Sequence, residues 1–168
     1  MDFKSRVRKA IAEGMRVAKQ QRVGESPRGE WLDTVSRVLG VVATELRALS
    51  LSAKAMSVQV ETALRWAPYR CRLSVTADPK ELLGEGVDLM ERERTYRLTF
   101  DRDTKTGRIV SRATHRHGPV APHRGQPLLE VEFYSPDDLL DGTRVEERAA
   151  RFVEALMNDL EQPRVPRR

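Results

Sequence analysis

The stretch that decides the fold of this protein is residues 32–68, LDTVSRVLGVVATELRALSLSAKAMSVQVETALRWAP. Its apolar residues recur at alternating steps of three and four, which is the heptad pattern of a helix that packs along one seam. We call these positions the heptad seam; they are Leu32, Val35, Leu39, Val42, Leu46, Leu49, Ala53, Met56, Val60, Ala63 and Ala67. Followed as far as Pro68, the pattern predicts one helix of roughly forty residues, about 60 Å long.

The second half of the same stretch also fits a β-strand. Residues 56–64, MSVQVETAL, alternate apolar and polar side chains, and their β-branched members favour a sheet. Residues 50–55 would then connect a shorter helix to this strand. After Leu49, alanine replaces leucine at several seam positions, which weakens the helical pattern. The sequence favours the continuous helix but leaves both interpretations of residues 56–64 open.

The remainder of the chain predicts an α+β fold. Beyond Pro68 the apolar period becomes two, which predicts strands at residues 70–76, 94–100, 108–115 and 128–134. The second and third of these strands form a hairpin around the turn DRDTKTG. We expect N-terminal helices, one of them long and heptad-patterned, an antiparallel sheet of four to five strands, and a closing C-terminal helix.

The same alternation assigns faces to the last predicted strand. Leu129, Val131 and Phe133 are expected to point into the core, and Glu130 and Glu132 are expected to point outward.

The domain organisation follows from these elements. Residues 1–67 form a helical region, and they begin with a basic amphipathic helix at residues 2–22. Residues 68–162 form the sheet with its C-terminal helix, and residues 163–168 form a frayed tail. Together they are expected to form one compact domain.

Composition narrows the function class. The net charge is +5, and 24 of the 30 basic residues are arginine, so an acidic partner is permitted but not identified. Aromatic residues make up only 5% of the chain, which argues against a nucleic-acid surface built from many stacking rings.

Cys71 is the single cysteine, which excludes an intramolecular disulfide, and its place in a strand predicts a small core residue. No apolar stretch resembles a signal peptide or a membrane span, so we expect a cytoplasmic protein without membrane contact.

Three histidines lie close together at residues 115–123: His115, His117 and His123. The first two would share one face of a strand, as zinc ligands can. The arginines around them disfavour a dication, and residues 104–129 contain no carboxylate to complete a ligand set. We therefore predict solvated histidines and no metal site, with contact to an anionic ligand as the alternative.

Two groups of basic residues are candidate anion-binding sites. Lys4, Arg6, Arg8 and Lys9 lie on the predicted first helix, and Arg97, Arg108, Arg112 and Arg116 lie on the outer face of the sheet. The simpler interpretation is that the first helix packs on the second, and that Glu130 and Glu132 pair with the sheet arginines across strands.

The heptad seam is the most specific signal in the sequence. A single amphipathic helix cannot bury its own seam, so the seam must meet the first helix, the sheet or a second copy of the chain. We expect a homodimer or a protein partner at this surface, with an interface of Leu32, Val35, Leu39, Val42, Leu46, Leu49, Met56 and Val60. The alternative is that the helix covers the sheet of its own chain.

Signatures of enzymes are missing from the sequence, which contains no Walker loop, dinucleotide fingerprint or nucleophile elbow. We expect no cofactor. The sequence therefore predicts a non-catalytic interaction or assembly module that uses the heptad helix, with a basic sheet face for an acidic partner. The alternative is a nucleic-acid-binding protein that contacts phosphates through the first helix and the sheet arginines.

Overall fold

The computed structural model describes residues 29–49, 56–64, 67–78, 93–117 and 125–161, together with Lys9 and Glu13 as single helical positions. In chain order the elements are α1 (Glu30–Leu49), β1 (Met56–Leu64), β2 (Ala67–Ala77), β3 (Arg94–Arg102), β4 (Ile109–His117), β5 (Gln126–Tyr134), a 3-10 helix (Asp137–Leu139) and α2 (Thr143–Glu161). The five strands form one antiparallel sheet in the order β1-β2-β3-β4-β5. The predicted α+β class is confirmed.

The stretch that decides the fold contains a helix and a strand. Helix α1 ends at Leu49 and residues 56–64 form β1, so the prediction of a continuous helix is wrong and the strand alternative is confirmed. Met56 and Val60 lie four residues apart, a spacing that satisfies both the helical period and the strand period. Pairing with β2, where Val58 lies opposite Val75, selects the strand.

Both helices pack on the same face of the sheet. Helix α1 lies on β1 and β2, and α2 contacts β3, β5 and α1. The seam residues Val35, Leu39, Val42 and Leu46 have no exposed surface, because they pack against the sheet within one chain. Burying each such side chain contributes roughly 1.5–3 kcal/mol to stability. The alternative in which this helix covers its own sheet is what the structure shows.

A bulge in β5 reverses the predicted faces of residues 131–133, whereas Leu129 packs against the core as predicted. Ser111 pairs with Glu132 and Ala113 pairs with Leu129, so β5 advances three residues where β4 advances two. Val131 and Phe133 are consequently 45% and 60% exposed, while Glu132 turns to the helix side. The prediction that Val131 and Phe133 point into the core is wrong.

The hairpin between β3 and β4 is confirmed. Its turn is held by Asp103, whose carboxylate accepts hydrogen bonds from the Lys105 amide (2.9 Å) and the Thr106 hydroxyl (3.0 Å). Gly107 closes the turn with φ = +71°, a left-handed conformation that glycine adopts at no steric cost. The tight turn fixes the register of β3 against β4, and with it the positions of the arginines on the opposite face of the sheet.

Candidate functional site

The sheet face opposite the two helices carries arginines and hydroxyl side chains. We call it the arginine face and define it by its members on the three central strands: Arg72, Ser74 and Thr76 on β2, Thr95, Arg97 and Thr99 on β3, and Arg112, Thr114 and Arg116 on β4. Arg97 and Arg112 are exposed, and the remaining members are partly buried. No member is apolar, which sets this face apart from the helix-covered one.

Strand register places the arginines of this face on diagonals. Arg72, Thr99 and Arg112 form one row across the three strands, and Ser74, Arg97 and Thr114 form the next. Arg97 is therefore the diagonal neighbour of both Arg72 and Arg112, at roughly 7–8 Å for each step. This spacing leaves room for one anionic group between adjacent guanidinium groups.

Charge on the arginine face is only partly balanced. The Arg72 guanidinium contacts Glu61 of β1 at 2.5 Å, and at the sheet end Arg70 contacts Asp101 at 2.6 Å. Within the described ranges, no carboxylate forms a salt bridge with Arg97 or Arg112. The prediction that Glu132 would pair with these arginines is wrong, because the β5 bulge carries that carboxylate to the opposite face.

Arg97 is repelled by the positive charges of neighbouring arginines. Partial burial, together with the positive charges of Arg72 and Arg116, lowers the pKa of its guanidinium, while Glu61 acts in the opposite direction. An arginine stays protonated at neutral pH despite such a shift. A bound anion would relieve the repulsion between these cations.

An apolar corner adjoins the arginine face at the β5 edge. The exposed Phe133 lies opposite Val110 of β4, and Val131 projects two residues away on the same face of β5. Val110 keeps only 7% of its surface exposed. The corner therefore consists of one accessible aromatic ring with aliphatic neighbours.

A polar cluster that the sequence patterns do not predict surrounds the buried Arg148 on the helix side. Glu132 accepts hydrogen bonds from Arg151 at both carboxylate oxygens (2.5 and 2.9 Å) and from the Tyr134 hydroxyl. Arg148 lies 3.6 Å from the same carboxylate and donates to Ser111 at Oγ (3.0 Å) and at the carbonyl (3.1 Å). Together these contacts fasten α2 to β4 and β5.

The pKa values of this cluster reflect its pairing. The hydrogen bonds from Arg151, opposed by burial and supported by the Tyr134 hydroxyl and the positive charge of Arg148, lower the pKa of Glu132 to about 2. Burial and the neighbouring Glu132 raise the pKa of Tyr134 to about 12. A signal for the cluster existed in the sequence, since Arg148 falls three residues after Val145 on the apolar stripe of α2.

A second polar contact joins α2 to β3. The Arg94 guanidinium, which has no exposed surface, donates to the Asp159 carbonyl (2.5 Å), and the Tyr96 hydroxyl donates to Oδ2 of Asp159 (2.6 Å). Burial and the Asp159 carboxylate raise the pKa of Tyr96. Because these contacts join α2 to β3 inside the fold, we assign them a structural role.

An open cleft of about 440 Å³ lies where α1 begins. Trp31, Tyr69, Arg102 and Leu140 contribute to its lining. The Arg102 guanidinium stands 5.6 Å from the centre of the Tyr69 ring, which is a cation–π contact. The lining also includes the carboxylates of Glu30 and Asp137, which disfavour an anion in this cleft.

Only some of the remaining predicted site residues lie in the described part of the chain. Lys4, Arg6, Arg8 and His123 lie outside the described residues, Lys9 is exposed, and Arg108 is exposed in the hairpin turn. His115 and His117 end β4, and the described residues contain no group of three or more histidine, cysteine or acidic side chains able to hold a metal ion.

Cys71 and the seam residues Leu32, Met56 and Val60 belong to or pack against the core of the chain, while the side chain of Leu49 lies outside what the structure describes. Cys71 is fully buried, in agreement with its predicted core position, and burial raises the pKa of its thiol. Leu32 is partly buried against the core, while Met56 is buried and Val60 is partly buried as residues of β1 rather than of a helix.

No family model, curated protein or solved structure significantly matches the chain. No helix in the described ranges is long and apolar enough to cross a membrane.

Proposed function

We propose that the protein is a binding module that contacts the phosphates of a nucleic acid through the arginine face. The observation that carries this proposal is the pair Arg97 and Arg112, which are exposed, diagonal neighbours and without a salt bridge among the described residues. Guanidinium groups bind phosphate oxygens in a bidentate manner, and serine and threonine hydroxyls donate to the same oxygens.

The composition of the face favours phosphate over a protein surface. Protein interfaces bury an apolar centre, often with aromatic anchors, whereas nucleic-acid interfaces are polar and strongly positive. The members of the arginine face other than arginine are all serine or threonine. These positions offer hydrogen-bond donors to phosphate, and the exposed apolar area on this side of the sheet is confined to the β5 corner at Val131 and Phe133.

The test is a fluorescence-anisotropy titration of labelled DNA over a series of salt concentrations. The variant Arg97→Gln/Arg112→Gln removes both donors, and Lys105→Gln/Arg144→Gln removes the same charge from exposed positions elsewhere. We expect the first variant to bind roughly 10- to 100-fold more weakly, with a salt slope reduced by about 1.4 on a single strand or about 1.8 on a duplex, and the control to stay close to the parent. Equal binding by the two variants would show that the arginine face is not the site.

A second candidate is an acidic protein partner on the same face, which the sequence predicts as one part of an interaction module that self-associates or docks through the heptad helix. The exposed Val131 and Phe133 support it, because apolar side chains beside a charged surface are common at protein interfaces. Self-association through the heptad seam stays a prediction, and its central residues Val35, Leu39, Val42 and Leu46 lie in the core of one chain.

A further inference from the structure

We infer that the nucleic acid bound by the arginine face is single-stranded, with one of its bases stacked on Phe133. This inference rests on the proposed function and adds the strandedness of the ligand. The observation behind it is the apolar corner, whose exposed Phe133 ring has no function in phosphate binding.

The geometry places an aromatic ring in line with the arginines. Phe133 pairs with Val110, two residues from Arg112, and Arg112 pairs with Thr99, two residues from Arg97. Phe133, Arg112 and Arg97 thus lie on one diagonal of the sheet, one strand and two residues apart at each step. At roughly 7–8 Å for each diagonal step, the line from Phe133 to Arg97 is about 15 Å long.

The diagonal continues onto β2. Arg97 pairs with Ser74, two residues from Thr76, so the hydroxyl of Thr76 occupies the next position on the line. The full path from β5 to β2 is then roughly 20–25 Å. A path of this length matches on the order of four nucleotides, the lower end of the site size of single-strand-binding folds.

The exposed ring supplies the preference for a single strand. Phe133 is 60% exposed, and stacking a base on an exposed aromatic ring stabilises the complex because it removes apolar surface from water. In a duplex the bases are already stacked on each other, whereas an unpaired base is free to stack on a side chain. The arginines contact phosphates in either form, so only the ring distinguishes the two ligands.

The experiment compares two fluorescein-labelled probes, an oligothymidylate of about twelve nucleotides and a DNA duplex of about twelve base pairs. Phe133→Ala removes the ring, and Tyr69→Ala is the matched control, since it removes an exposed aromatic side chain that lies in the cleft and not at the arginine face. Phe133→Trp restores a stacking surface. A circular dichroism spectrum of each variant, recorded before the titrations, verifies that the variant is folded.

We expect Phe133→Ala to bind the oligothymidylate roughly 5- to 100-fold more weakly and the duplex within about twofold of the parent. Its salt slope should not change, because no phosphate contact is lost. Tyr69→Ala should stay within about threefold of the parent on both probes, and Phe133→Trp should recover the affinity for the single strand.

Two outcomes overturn the inference in distinguishable ways. If Phe133→Ala binds the oligothymidylate like the parent while Arg97→Gln/Arg112→Gln loses binding, base stacking is refuted and phosphate binding by the arginine face stands. If the parent binds neither probe but binds polyglutamate in a manner sensitive to Phe133→Ala, both the inference and the proposed function fail, and the acidic protein partner is supported.

Discussion

The polar cluster around Glu132 predicts a strong dependence of stability on one carboxylate. Its pKa of about 2 lies below the ordinary 4.5, which at about 1.36 kcal/mol per pH unit corresponds to about 3 kcal/mol of stabilisation. The side chain is 28% exposed, and screening by water reduces this to roughly 2–3 kcal/mol. Because the pKa is lower in the folded chain, the stabilisation is complete above about pH 4.5 and is lost as the pH falls toward 2.

Replacing Glu132 by glutamine removes the countercharge of Arg148, which is 1% exposed. Breaking a buried ion pair costs roughly 3–5 kcal/mol, and the partial exposure of Glu132 lowers the expected cost to about 2–4 kcal/mol at neutral pH. Urea unfolding followed by circular dichroism measures this loss, with Glu130→Gln as the control at an exposed position of the same strand.

The pH dependence separates the ion pairs from simple packing. At about pH 3 the stability gap between the parent and Glu132→Gln should shrink by roughly half or more, because the unfolded parent has then bound a proton that the folded parent largely lacks. The reasoning is refuted if Glu132→Gln and Glu130→Gln lie within about 0.5 kcal/mol of each other at neutral pH, or if the gap is the same at both pH values.

Three further predictions address the core, a turn and the thiol. Leu39→Ala should cost roughly 2–5 kcal/mol in urea unfolding with a midpoint that is independent of protein concentration; a midpoint that moves with concentration would show that the seam is shared between chains. Gly107→Ala should cost roughly 1–2 kcal/mol because its φ is +71°, whereas Lys105→Ala in the same turn should be nearly neutral; equal effects would contradict the role of the left-handed glycine. Cys71 should react with a thiol reagent only as urea unfolds the chain, because it is buried with a raised pKa, and rapid labelling without urea would contradict its burial.

Part of the candidate site was predictable from the sequence. The alternation on β3 and β4 places Arg97 and Arg112 opposite the apolar set Tyr96, Leu98 and Phe100, and strand periodicity alone fixes that assignment. Their diagonal arrangement requires the register, which depends on the hairpin turn at Gly107. The turn sequence and the apolar–polar alternation both predict the same hairpin, so the face and the register of these arginines are compatible with each other.

The prediction of which β5 side chains face the core failed at residues 131–133, because one extra residue in the bulge reverses the faces of these side chains. The alternation across residues 128–134 is regular in the sequence, so Val131 and Phe133 were expected inside and Glu132 outside. The β5 bulge reverses this, and the ion pairs of Glu132 with α2 stabilise the reversed arrangement. The place of Arg148 on the apolar stripe of α2 signals a buried cation, but no local pattern identifies Glu132 as its partner, because a 3-10 helix and a turn separate β5 from α2.

By itself, the sequence determined the class of the fold, the hairpin, the closing helix and the polar character of the arginine face, since these follow from periodicities within single segments. The tertiary structure decided where α1 ends, which partner covers the heptad seam, and which face of β5 carries Phe133. Each of these depends on backbone pairing or burial against a segment distant in the chain. Met56 and Val60 fit both a helix and a strand until β2 supplies the hydrogen bonds that select the strand.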